Sequence, residues 1–165
     1  MEAQHRLSNL VRLIPGYAGY RTKEDRRDAD KQVRMHLARQ YAGERESLTS
    51  LAQQLVANRR LDLVGQLEPI EQMLNRFISR LEYAPRGYAG WFNANRLSET
   101  DLDKLYEFDA KLADGIPLLR EQIGFVAAEC TTDADCNEAL TALRDFVNDL
   151  NTQFDTRQTF LAANK

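Results

Sequence analysis

The segment 63–84 reads LVGQLEPIEQMLNRFISRLEYA. Its apolar residues Leu63, Leu67, Ile70, Leu74, Phe77, Leu81 and Ala84 recur at alternating steps of four and three. That is a heptad pattern, the mark of a helix with one continuous buried seam. Pro69 lies inside the seam. Proline has no N–H and crowds the preceding turn, so the helix either starts near Pro69 or kinks there. This segment sets the expectation of a helical fold over 62–84, and its neighbours extend it.

Upstream, Val33, Leu37, Tyr41, Leu48, Leu51 and Leu55 form a second stripe, interrupted only by Glu44. One helix over 22–59 is the simplest reading, with Thr22 as N-cap and Asp25 three residues on. Gly43 weakens it by about 1 kcal/mol without ending it. The run from Asn58 to Asp62 reads as the turn into the next helix. Glu44 stands where an apolar residue belongs. A buried unpaired carboxylate is costly, so Glu44 either meets an arginine or lies where the stripe reaches solvent.

Downstream, Ser98 followed by Asp101 is a partial capping box for a helix over 98–130. Its stripe is Leu105, Phe108, Leu112, Ile116, Leu119, Ile123, Val126 and Cys130. The pattern passes in phase through Gly115-Ile116-Pro117, so the segment reads as one kinked helix rather than two. After Thr131-Thr132-Asp133 comes a helix over 133–160, striped with Cys136, Leu140, Leu143, Val147, Leu150, Phe154 and, just beyond, Leu161. Residues 1–14 form a short helix with Leu7, Leu10, Val11 and Ile14 on one face.

Four long stripes with short connections predict an all-α fold. It is an antiparallel bundle of four long helices, some kinked at proline, with a short extra N-terminal helix, in one domain over 1–165. The same heptads would serve a coiled coil between chains, so the oligomeric state stays open.

A short phrase occurs twice. Pro15-Gly16-Tyr17-Ala18-Gly19-Tyr20 precedes the first long helix, and Pro85-Arg86-Gly87-Tyr88-Ala89-Gly90-Trp91-Phe92 follows the second. In an up-down bundle both lie at one end, which gathers Tyr17, Tyr20, Tyr83, Tyr88, Trp91 and Phe92. Glycine lets such loops turn sharply, and Tyr and Trp give large contact area with a polar tip. The end is either a recognition surface for a protein partner or a plug for the bundle core. Glu107 and Asp109 lie near it and are the candidate anchors for a backbone N–H or an arginine. The N-terminal helix, with Arg6 and Arg12 beside its apolar face, either caps the bundle or rests on a membrane surface beside Tyr17 and Tyr20.

The chain has 165 residues, 43% hydrophobic and 28% charged, which suits a globular protein. No run approaches the roughly 18 apolar residues of a membrane span. The first residues lack the basic and apolar regions of a secretory signal, which predicts a cytoplasmic protein. Residues 1–60 carry 12 Lys/Arg against 7 Asp/Glu, and residues 61–165 carry 10 against 18. Acids and bases alternate over 23–31, so the basic half makes no clean stripe for nucleic acid, and neutralisation within the fold is the expectation.

Cys130 and Cys136 are not at zinc-site spacing and no Cys/His pair completes four ligands. Both fall on core stripes beside a tight turn, which allows a disulfide if their Cα atoms approach within about 7 Å; in a cytosolic protein they would stay reduced. His5 and His36 are the only histidines, neither in a Glu-x-x-His pair. Asp133 and Asp135 open no EF-hand, because the central glycine and the twelfth-position glutamate are missing. There is no P-loop, Rossmann glycine pattern or nucleophile elbow. The sequence predicts a non-enzymatic scaffold or adaptor with no cofactor and no metal, docking a protein partner through its aromatic end or a bundle face. A peripheral membrane protein is the second reading.

Overall fold

The computed structural model describes residues 2–20, 26–84, 98–130 and 136–163. They form five helices: α1 Glu2–Leu13, α2 Arg26–Ala57, α3 Leu61–Glu82, α4 Glu99–Cys130 and α5 Asn137–Ala163. The four long helices pack as an antiparallel bundle, and α1 lies against α4. From Val33 to Leu161, the apolar residues of the four stripes are buried, apart from half-buried Phe108 and Ala84. Tyr41, Phe77 and Phe154 meet edge to face across the middle of the core, with ring centroids 4.9 and 6.1 Å apart.

The bundle is two helical hairpins. In the first, α2 and α3 run antiparallel: Arg34 donates to the Leu81 carbonyl at one end, and Thr49 bonds Glu71 further along. In the second, Asp109 meets Arg157, Phe108 meets Phe160, and Cys130 meets Cys136. Between hairpins, helices of like direction lie side by side. Tyr41 bonds the Leu112 carbonyl and Glu44 pairs with Arg120, so α2 runs alongside α4. Phe77 and Arg80 reach Phe154 and Asn151, joining α3 to α5.

Local signals explain most of the boundaries. Asp101 N–H donates to Ser98 Oγ at 3.1 Å while Ser98 N–H donates to the Asp101 carboxylate, a reciprocal cap on α4. α2 ends in a Schellman turn: Arg60 N–H reaches the Leu55 carbonyl and Arg59 N–H the Val56 carbonyl. Arg59 takes the left-handed conformation there, at φ 60°. α3 starts at Leu61 and runs through Pro69 to Glu82, so Pro69 is neither its start nor its end. The Gly65 carbonyl that Pro69 leaves without a donor lies on the exposed face, where solvent reaches it. Tyr83 N–H closes the last turn of α3 on the Ser79 carbonyl, leaving Ala84 beyond the helix. α4 continues through Pro117 as one helix. α5 reaches Ala163, past the expected end at 160. Thr22 and the 131–133 turn lie outside the described residues.

Candidate functional site

Two regions carry the features from which a function can be argued. The first is the end of the bundle where α2 and α4 begin. Residues 14–20 fold back over it. Gly19 has φ +80°, and a Cβ there would lie 2.8 Å from the Tyr106 hydroxyl and 2.9 Å from Leu7. Only glycine fits. This close approach lets Tyr20 N–H donate to the Tyr106 hydroxyl at 2.9 Å. The Tyr20 hydroxyl donates to Asp109 Oδ2 at 2.7 Å.

Asp109 also receives Arg157 Nε at 2.8 Å, and Arg157 Nη2 reaches Asp30 Oδ1 at 2.7 Å. Arg34 Nε donates to the other Asp30 oxygen at 2.8 Å and Arg34 Nη1 to the Leu81 carbonyl at 2.7 Å. Two carboxylates and two guanidiniums thus form a chain through the core, tying the 14–20 segment to all four long helices. Asp30, Asp109 and Arg157 are buried. Burial works against the Arg157 charge, but Asp109 and then Asp30 outweigh it and hold the guanidinium protonated. Burial pushes the Asp109 carboxyl above the usual carboxylate range, while Arg157 and the Tyr20 hydroxyl pull it back. Burial likewise raises the Tyr17 and Tyr41 hydroxyls, which stay protonated. These pairings are internal to the fold, and Arg157 Nη1 is buried with no hydrogen-bond partner among the described residues.

The candidate residues therefore separate. Tyr17 and Tyr20 are 3% and 1% exposed and belong to the core. Tyr83, at the end of α3, is 81% exposed. Tyr88, Trp91 and Phe92 lie outside the described residues. Asp109 anchors an arginine and a tyrosine, whereas Glu107 pairs with Lys111 at 2.8 Å beside the shallow groove between α1 and α4. Glu44 meets Arg120 at 2.6 Å, with Glu44 buried and Arg120 largely exposed. Cys130 and Cys136 are joined as a disulfide, with Cα atoms 5.3 Å apart, at the opposite end of the bundle. Leu10 of α1 and Ile14 just past its end are buried, while Val11 and Leu13 are about half exposed. Among the described residues no cluster of His, Cys, Asp and Glu could hold a metal, and no helix is long and apolar enough to cross a membrane.

The second region is the outer groove of the α4–α5 hairpin. Lys104, Lys111, Leu118 and Phe125 recur every seven residues along one side of α4. Lys104 lies over the Phe160 ring at 5.9 Å, so the row starts beside α5, while Lys111 borders the α1 groove and Leu118 and Phe125 carry the row on along the outer side of α4. Phe108 packs on Phe160 at 5.6 Å. Phe146, two heptads before Phe160, is on the same side of α5 and partly buried. The antiparallel register brings it level with the span between Leu118 and Phe125. Leu118 and Phe125 are 49% and 54% exposed, which makes an apolar patch about 10 Å long on the outer side of α4. Gly124 beside it has nothing within 4 Å of a Cβ position. The α2–α3 groove differs: Arg45 bonds Asn75 across it at 3.0 Å and Thr49 bonds Glu71 at 2.6 Å.

Arg157, Asp30, Leu118 and Phe125 lie outside the candidate residues that the sequence singles out. Arg157 had a signal. The α5 stripe skips the position between Phe154 and Leu161, where a core residue belongs, and Arg157 fills it. Leu118 and Phe125 were legible as apolar residues off the α4 stripe, one heptad apart. Asp30 had no comparable signal amid the alternating charges of 23–31.

Among the described residues, fold and site define a helical bundle with a buried ionic chain in its apolar core and an exposed apolar patch on the outer side of α4. Compared with known protein families, curated proteins and solved structures, the chain has no match.

Proposed function

We propose that the protein is a non-enzymatic helical scaffold or adaptor, and that it docks a protein partner on the outer face of the α4–α5 hairpin. The observation that carries this reading is the pair Leu118 and Phe125, exposed one heptad apart and level with Phe146. Exposed apolar side chains aligned on one helix face suit a partner's apolar face better than scattered ones do. The non-enzymatic part draws support from the buried ionic chain. Its carboxylates and guanidiniums neutralise one another inside the core rather than facing a cleft. A cytoplasmic location remains part of the proposal, and a stable Cys130–Cys136 disulfide in cells would weigh against it.

The aromatic end supports docking less, because Tyr17 and Tyr20 are already covered. Membrane binding through α1 has less support too, because Leu10 and Ile14 already pack inward. Quantitative co-purification tests the choice. Replacing Leu118 and Phe125 by serine should remove the specific partners, and Tyr88→Ala with Trp91→Ala should retain them. The reverse outcome would move the site to the 85–92 segment. Flotation on anionic vesicles at low salt should leave the protein unbound.

A further inference from the structure

The patch on the α4–α5 face lies in an acidic surround. Glu121 lies between Leu118 and Phe125 on the same side of α4, and it is exposed. On α5, Asp149 follows Phe146 by three residues and Asp145 precedes Asp149 by four, so both belong to one helical row; both are exposed. None of the three takes part in an ion pair among the described residues. Basic residues are scarce here. Between Leu112 and Cys130, α4 carries only Arg120, which turns away to Glu44 on α2. Between Asn137 and Thr156, α5 carries only Arg144. It lies seven residues before Asn151, on the side that meets Arg80 of α3. At the near end of the groove Lys111 is held by Glu107.

We propose that this face binds a basic amphipathic helix of a protein partner, with the partner's apolar seam on Leu118, Phe125 and Phe146 and its Lys/Arg flanks against Glu121, Asp145 and Asp149. The inference rests on the docking reading above and adds the chemistry of the occupant. Two apolar anchors one heptad apart match the repeat of a helix seam. The acidic rim selects a basic helix, because like-charge juxtaposition opposes an acidic one. It also disfavours a second copy on the same face, which would bring Glu121, Asp145 and Asp149 against their own kind. An anionic membrane surface is repelled for the same reason.

The test titrates the full-length protein with two synthetic helices. One has leucines at heptad spacing and lysines elsewhere, and the other has glutamates in place of the lysines. Binding is read by calorimetry and mapped by amide shifts. The Leu/Lys helix should bind, with shifts confined to 117–128 and 142–149, and weaken with added salt. Phe125→Ser should weaken it by about tenfold, as for a central apolar anchor, with the thermal melt unchanged. Glu121→Lys with Asp149→Lys keeps the apolar patch and should turn the preference toward the Leu/Glu helix.

If both helices bind equally and Phe125→Ser weakens both, docking stands and the basic partner is wrong. If the Leu/Lys helix binds Phe125→Ser undiminished, the attraction is charge alone and the inference is overturned. No binding of either helix overturns it as well. A concentration-dependent dimer abolished by Phe125→Ser would put a second copy on the face instead.

Discussion

The two hairpins are built alike and finished differently. α2 and α4 have 32 residues each, and both hairpins bury one apolar stripe per helix. The α2–α3 hairpin turns through a Schellman motif with an arginine in the left-handed position, and hydrogen bonds cross its outer groove. The α4–α5 hairpin is joined by a disulfide, and it carries a Phe108–Phe160 ring contact and exposed Leu118 and Phe125 on the outer side of α4. The inward face specifies the bundle in both, so it says little about what distinguishes them. The difference lies in what each hairpin presents outward. The first hairpin also has exposed apolar residues, Val56 and Leu61 at 52% and 65%. They flank the Arg59 turn, with both arginines of that turn between them, instead of aligning along one helix.

The buried ionic chain joins the hairpins, and breaking it should have the largest effect. Arg157→Ala would take the cation from buried Asp109, leaving it the Tyr20 hydroxyl, and one of the two arginines from Asp30, and should destabilise the fold by about 3–5 kcal/mol in urea unfolding. Lys111→Ala removes an exposed pair with Glu107 inside α4 and should lose about 1 kcal/mol or less. If the two variants unfold alike, the chain is not what pins the hairpins together.

The turns give the next contrast. Reducing the Cys130–Cys136 bond, which closes a short loop, should lower stability by about 2 kcal/mol. Arg59→Gly at the other turn should raise it by about 1 kcal/mol, because glycine takes the left-handed conformation without strain. Glycines within the helices separate the same way. A Cβ on Gly115 would lie 2.5 Å from the Tyr41 hydroxyl and 2.8 Å from Leu150. Gly115→Ala should therefore lose about 1–3 kcal/mol despite better helix propensity. Gly43 faces open space, and Gly43→Ala should gain about 0.5–1 kcal/mol. Smallest of all, Leu118→Ser and Phe125→Ser should each change stability by about 0.5 kcal/mol or less. Both are substantially exposed, and their proposed work is outside the fold.

Much of the architecture was legible because each core stripe keeps its period for many turns. The in-phase run through Pro117 was enough to read α4 as one helix. Glu44 and the gap filled by Arg157 also showed, as breaks in otherwise apolar stripes. Their partners did not show, because pairing Glu44 with Arg120, or Arg157 with both Asp30 and Asp109, depends on which helices lie side by side. Periodicity gives each helix a face but no neighbour. The repeated glycine–tyrosine phrase drew attention to the bundle end, yet whether Tyr17 and Tyr20 face inward depends on the close approach at Gly19. Leu118 and Phe125 were visible residue by residue. Their alignment with Phe146 needed the register of α4 against α5.

The central claim is that the α4–α5 face, and not exposed apolar surface in general, is where a partner docks. Photo-crosslinking in cells tests it most directly. A crosslinkable phenylalanine analogue is placed at Phe125 in one variant and at Leu61 in the other, two exposed apolar positions on different hairpins. The account predicts discrete partner adducts from position 125, suppressed by Leu118→Ser in the same chain, and none from position 61. Equal adducts from both positions, or adducts from 61 alone, would contradict it.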